Sequence, residues 1–173
     1  FTKIDSQLLA FIEARKPLWI ISSTSALLTS DFLNIPLNGV INFHEAPLPN
    51  YRGSASYFWF MFNKEKYAHV TLHYVVEELD AGDIIFEGKE VLISTSSVFD
   101  TWFNMLKSHE QSWEYLLPYL TNGLPIPSSP QTNGAAFTYG YPNKSSIQRL
   151  KKRDISFVGF NDIKNLIRLA KNG

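Results

Sequence analysis

Hydrophobic residues along this chain change period several times, and each change marks an element. Ile4, Leu8, Leu9, Phe11 and Ile12 recur at helical spacing, with Asp5 or Ser6 placed to cap the helix and Pro17 to stop it. Leu18-Trp19-Ile20-Ile21 is a short unbroken apolar run, expected to be a strand buried on both faces. A polar loop over 22–25 follows, and then a short helix over 27–32. Gly39-Val40-Ile41-Asn42-Phe43-His44 reads as a second buried strand whose C-terminal end turns polar. Pro47, Pro49, Arg52 and Gly53 predict an irregular loop, and the aromatic stretch 57–62 a helix. Residues 70–76 alternate and are β-branched, which predicts a strand. A turn over 79–83 then leads to a strand over 84–93, broken or bulged at Gly88.

Further on, Thr95 or Ser96 is expected to cap a long helix. Its apolar stripe is predicted as Val98, Trp102, Met105, Leu106, His109, Trp113, Leu116 and Leu117, with Pro118 bending or ending it. A proline-rich loop through Pro125, Pro127, Pro130, Asn133 and Gly134 follows. Ser145 or Ser146 is expected to cap a short basic helix through Arg153, and Asn161 a last helix through Ala170. Early alternation of strand and helix predicts an α/β fold with a parallel sheet, to which the later strands could pair antiparallel.

With 173 residues, the chain is long enough for one domain with a substantial core. Aromatic residues reach 14%, so large rings should dominate that core. Sixteen basic and sixteen acidic residues give a formal charge of zero, so nothing overall calls for nucleic acid or an anionic membrane. There are no cysteines, which excludes disulfides, thiolate catalysis and cysteine zinc sites, and fits a reducing cytoplasm. No apolar run is long enough to span a bilayer.

Ligands of open α/β sheets bind at the C-terminal ends of parallel strands. Asn42 and His44 lie at such an end, two apart on an extended segment, so they point the same way while Phe43 points into the core. An amide donor beside an imidazole could stabilise an oxyanion and move a proton. Such a pair often only satisfies loop carbonyls, and that reading stays open. Asp80 in Leu79-Asp80-Ala81-Gly82-Asp83 could hold an imidazolium in place, or simply close an Asx turn between two strands.

Several motifs in order then carry a resemblance. Asn42-Phe43-His44-Glu45-Ala46-Pro47-Leu48-Pro49-Asn50-Tyr51-Arg52-Gly53 resembles the signature loop of the folate-dependent formyltransferases. That family includes glycinamide ribonucleotide transformylase, methionyl-tRNA formyltransferase and the sugar N-formyltransferases. Trp59, Val70-Thr71-Leu72-His73 and Leu79-Asp80-Ala81-Gly82-Asp83-Ile84 match further family motifs at the right places. The resemblance runs from about residue 18 to 93, and more loosely to 120.

The resemblance implies a Rossmann-like, mostly parallel sheet lacking its N-terminal βαβ portion, since the chain opens at Phe1 without the Gly-rich first turn of the family. It implies a catalytic core over 1–121 and a C-terminal loop with short helices over 122–173, in the same domain or as its extension. It implies 10-formyltetrahydrofolate as formyl donor and a small-molecule amine as acceptor, with an amino sugar nucleotide favoured over tRNA. Asn42, His44 and Asp80 take the catalytic positions. Leu27, Leu28, Val75, Glu77 and Leu79 fall where the family lines its pteridine pocket, and His73, Arg52 and Gly53 support the site. No metal is implied, and the sequence spacing of His44, His73 and Asp80 matches no metal motif. An open sheet edge would need covering, for which a homo-oligomer is one solution. A hydrolase releasing formate from the same folate, and a degenerate binding module without turnover, are the alternatives. The basic cluster Lys144, Arg149, Lys151, Lys152 and Arg153 reads first as a solvated helix face. Tyr139 and Tyr141, just before it, could stack on a base or sugar.

Overall fold

In a computed structural model, residues 4–24, 27–94, 97–131, 136–158 and 162–164 are described. Asp5 caps the first helix, α1 (Ser6–Glu13), by accepting from the Leu8 N–H. Strand β1 (Ile20–Ser22) follows, then a single helical turn α2 (Ser30–Leu33), and then β2 (Val40–His44), whose five residues are all buried. The signature loop carries the two-residue strand β3 (Arg52–Gly53), with a cis peptide at Leu48–Pro49, and leads into helix α3 (Ser56–Asn63). Next come β4 (Tyr67–Ala68), β5 (Thr71–Tyr74), β6 (Ile84–Glu87) and β7 (Val91–Leu92). Helix α4 (Val98–Asn122), strand β8 (Thr138–Tyr139) and helix α5 (Lys144–Lys151) complete the described order.

The main sheet runs β1-β2-β5-β6. β1 and β2 are parallel, whereas β5 and β6 add antiparallel, as the alternating run at 70–76 allowed. The α/β class therefore holds, and this chain contributes a mixed sheet that begins parallel. Two small ladders flank it, β3 with β8 in parallel and β4 with β7 antiparallel. The residues after 121 return to the core through β8 and through α5, whose Leu150 is fully buried beside α3.

Several expected details differ. β1 is not buried on both faces: Leu18 and Ile21 are exposed, because among the described residues β1 has β2 as its sole strand neighbour. The run at 84–93 is two strands in different sheets. The break falls at Gly88, as its position in the run suggested, and the Gly88 N–H is drawn to the Val70 carbonyl at 2.9 Å. α4 is capped by Ser97, which accepts from the Asp100 N–H; Thr95 and Ser96 lie outside the described residues. Pro118 does not end α4, which continues one turn to Gly123 in the left-handed conformation. α5 is capped by Asn143, whose side chain accepts from the Ser146 N–H, rather than by either serine. Asn133, Gly134, Asn161 and the stretch beyond 164, where the last helix was expected, lie outside the described residues.

The predicted apolar stripe of α4 is also displaced. The buried positions are Thr101, Met105, Ser108, Ser112 and Leu116, while Leu106, Trp113 and Leu117 are exposed. The reason is close approach. A Cβ on Gly88 would stand 2.3 Å from Ser108 Oγ and 3.0 Å from the Ser108 carbonyl, so at this crossing only a small side chain fits between α4 and the sheet. Ser108 Oγ also accepts from the buried Val70 N–H at 2.9 Å. Ser108→Ala would leave that N–H without a partner and is expected to cost about 1–3 kcal/mol. Ser112 only donates to a carbonyl of its own helix, Ser108 O at 2.8 Å, so Ser112→Ala removes the donor itself and should cost less. Urea unfolding of the two variants checks this order.

Candidate active site

The site grows from the C-terminal end of β2. Asn42 and His44 share one face of the strand, and the antiparallel register sets Asn42 opposite His73 on β5. All three side chains are buried. His73 Nδ1–H donates to the Tyr74 carbonyl at 2.8 Å, which leaves Nε2 bare. Burial, the largest cause, pushes the His73 pKa down to about 4, so the ring is neutral at pH 7. A bare Nε2 can only accept, and Asn42 Nδ2 lies 3.2 Å from it. That contact fixes the orientation of the Asn42 amide. It leaves a second N–H on Nδ2 and a buried Oδ1 without a partner among the described residues.

His44 Nε2–H donates to the Tyr51 carbonyl at 2.6 Å. Nδ1 is then the ring atom left for chemistry, and it faces Asp80 Oδ2 at 3.7 Å. Asp80 holds a positive φ of 48°, a conformation that Asp tolerates better than most residues. It is held there from two sides. Gly53 N–H donates to Asp80 Oδ2 at 2.7 Å, and Gln131 Nε2 donates to the Asp80 and Gly82 carbonyls at 2.7 and 2.8 Å. Gly82 is required in this turn, because a Cβ there would stand 1.8 Å from the Tyr74 carbonyl oxygen. The other Asp80 oxygen is 3.6 Å from His73 Nε2. With His73 neutral, this is a polar contact and not an ion pair.

Asn42, His44, His73 and Asp80 line one cavity of about 470 Å³, the size of a small-molecule site. Leu27, Leu28, Val75 and Leu79 line the same cavity, and so does Gly53. Glu77 does not line it: it turns away to accept from Ser30 Oγ at the start of α2. Arg52, expected to support the site, lies outside the lining and clamps the neighbouring loops, donating to Glu78 at 2.7 Å and to Gln131 Oε1 at 2.8 Å. The basic cluster on α5 is exposed and lines none of the cavity.

The site has other contributors, of which the sequence singles out Tyr139 and Tyr141. Gln131 sits in a proline-rich loop that carries no motif. Residues 138–141 line the cavity because β8 pairs with β3. Glu45 lines it too, next to His44. Burial acts to raise the Glu45 pKa, but the hydrogen bond from His109 leads the opposing effects and the net result is a lowered value. His44, His73 and Asp80 offer three ligand-type atoms within 4.8 Å of one another, a proximity that their sequence spacing did not suggest.

The His73 contact makes a pH prediction. Its pKa is about 4 folded, against an ordinary 6.5. The unfolded chain therefore takes up a proton first as pH falls. The stability His73 contributes is complete above about pH 6.5 and is lost between there and pH 4, by ~3 kcal/mol at most. In His73→Gln this component should vanish. Urea unfolding of both proteins at pH 7 and pH 5 reads the difference.

A family model of formyl transferases matches residues 2–115. A sugar N-formyltransferase from a Shewanella species superposes with a TM-score of 0.68 at 19% identity, over 91% of this chain and 67% of that one. The formyltransferase PseJ of Anoxybacillus kamchatkensis, in complex with UDP-4,6-dideoxy-4-formamido-L-AltNAc and tetrahydrofolate, superposes with a TM-score of 0.67 at 20% identity, over 91% and 85%. WlaRD, a sugar 3N-formyl transferase solved with dTDP and 5-N-formyl-THF, gives 0.60 at 22% identity; this chain spans 43% of its length. No helix among the described residues is long and apolar enough to cross a membrane. At these identities the likeness of structures concerns the fold, while the family match covers about two thirds of the chain, and on that match the chain belongs to the formyl transferase family.

Proposed function

We propose that this protein transfers a formyl group from 10-formyltetrahydrofolate to the primary amine of a small-molecule acceptor, with a nucleotide-linked amino sugar as the acceptor class. The observation that carries this reading is the convergence of Asn42, His44 Nδ1 and Asp80 on one cavity beside an apolar pocket. In the reaction, the neutral amine nitrogen bonds to the formyl carbon and the carbonyl π electrons move to oxygen. The free N–H of Asn42 and protonated His44, through Nδ1–H, hold that oxyanion. Asn42 Oδ1, otherwise unpartnered, can accept an N–H of the attacking amine. Collapse re-forms the carbonyl and breaks the carbon–N10 bond. The amine proton passes to N10, with Asp80 holding the water that relays it.

Leu27, Leu28, Val75 and Leu79 would hold the pteridine. Residues 1–121 would supply the reacting groups and the donor pocket, with 122–173 extending the same domain. The 5-N-formyl-THF and dTDP of the WlaRD structure, and the tetrahydrofolate and UDP-linked formamido sugar of the PseJ structure, support the choice of donor and acceptor class. The test is calorimetric titration with 5-formyltetrahydrofolate, followed by incubation of 10-formyltetrahydrofolate with amino sugar nucleotides. Donor binding and an amine-dependent formamide product are expected. Formate released without amine dependence would reassign the protein as a hydrolase, and absence of folate binding would remove the reading.

A further inference from the structure

We propose that residues 138–141 form the acceptor's platform, with the Tyr141 ring receiving a flat ring face of the acceptor, a nucleobase or a pyranose. The inference rests on the proposed transfer reaction and names how the acceptor is held. The segment lies beyond the stretch matched by the family, yet it lines the same cavity as His44 and Asp80. It is fastened to the signature loop. Arg52 N–H donates to the Phe137 carbonyl at 3.0 Å, and Ser54 N–H to the Tyr139 carbonyl at 2.8 Å. Trp59 Nε1 donates to the Gly140 carbonyl at 2.9 Å, and Asn63 Nδ2 to the Tyr139 hydroxyl at 3.1 Å. The Tyr139 ring stacks on Tyr51 with centroids 5.1 Å apart and an interplanar angle of 13°.

Tyr141 contrasts with this fixed base. It is 77% exposed, lines the cavity and makes no ring contact among the described residues. Just before it, the backbone over 137–140 is held by three hydrogen bonds, and the Tyr139 side chain by a fourth and by a ring stack. A rigid mount carrying a bare aromatic face costs little conformational entropy when a ligand settles on it. The cavity's other groups explain the division of labour. Leu27, Leu28, Val75 and Leu79 suit an apolar heterocycle. Glu45, Ser54 and Ser56 line it near the start of α3, where hydroxyl groups and a carboxylate suit a hydroxylated, amine-bearing ligand.

The test compares the purified protein with Tyr141→Ala and Tyr141→Phe. The probes are dTDP, UDP and the corresponding free amino sugar, read by calorimetry and, where turnover is found, by acceptor KM. Loss of one stacked ring weakens binding about tenfold in such cases. Tyr141→Ala is expected to raise Kd and acceptor KM by about that factor, with Phe restoring both and the Kd for 5-formyltetrahydrofolate unchanged. If the effect falls on the nucleoside diphosphates, the stacked face is the base; if it falls on the free amino sugar, it is the pyranose. Equal Kd values for wild type and Tyr141→Ala overturn the proposal, as does failure of every probe to bind the wild type. Because the nucleotide titrations need no turnover, they separate this proposal from that of formyl transfer, which the folate titration and product analysis decide.

Discussion

His44→Ala is expected to lower formyl transfer about a thousandfold or more, while the protein stays folded and binds 5-formyltetrahydrofolate within a few-fold of wild type. Nε2–H is committed to the Tyr51 carbonyl, and Nδ1 is the one polar atom on this side chain that can meet a reacting oxygen. Its contribution is needed when negative charge develops on the formyl oxygen, which raises kcat and not donor affinity. A single oxyanion donor contributes on the order of 10²–10³ in rate, and a positioned proton donor 10²–10⁴. Asn42→Ala should cost less, within the first of those ranges, because it removes one neutral donor. Asp80→Asn is the finer probe, since an amide oxygen can still accept from Gly53 N–H while the charge beside Nδ1 is gone. Single-turnover measurement of formamide formation reads all three, with thermal melts as the check on folding. Near-wild-type turnover in His44→Ala would sink the assignment of these roles.

What the sequence made legible follows from range. The polar end of β2 stood out because period and polarity change within six residues, and the strand does place Asn42 and His44 on one face. The Asp80 turn was legible because Asp and Gly at those offsets report local backbone demands, and Gly82 does meet the Tyr74 carbonyl too closely for any side chain. The failures are non-local. Hydrophobicity along α4 picked out Met105 and Leu116, which are buried, but also Leu106 and Leu117, which are exposed, and it passed over Ser108, which the proximity of Gly88 and Val70 places against the sheet. The depth of β1 was overestimated because an apolar run reports affinity for a core and not the number of neighbouring strands. Glu77 has the polarity of a site residue, yet it finds a closer partner in Ser30 at the start of α2. Gln131, 51 positions from Asp80, could be recognised only once the fold had brought it there.

Gly53→Ala should have the largest effect on the fold around the site, and through it on activity. Gly53 has φ +97°, where a Cβ is strained in any surroundings. The surroundings add to that. A Cβ would stand 2.1 Å from the Tyr139 carbonyl oxygen, an atom of backbone that cannot swing aside. Relief requires β8 to withdraw from β3, which breaks the Ser54 N–H to Tyr139 bond and loosens the Tyr51–Tyr139 stack. Gly53 N–H also donates to Asp80 Oδ2, so the same shift disturbs the carboxylate facing His44. Strain and lost pairing together are expected to cost about 3 kcal/mol. Trp59, whose Nε1 is bonded to Gly140, offers a local reporter, and its fluorescence should change along with the urea midpoint. If the variant still folds, transfer should fall and both donor and acceptor affinities should weaken, since one glycine joins the reacting groups to the strap at 138–141. Wild-type stability with unchanged Trp59 fluorescence would show that β3 and β8 do not approach as described, and the coupling of the strap to Asp80 would fall with it.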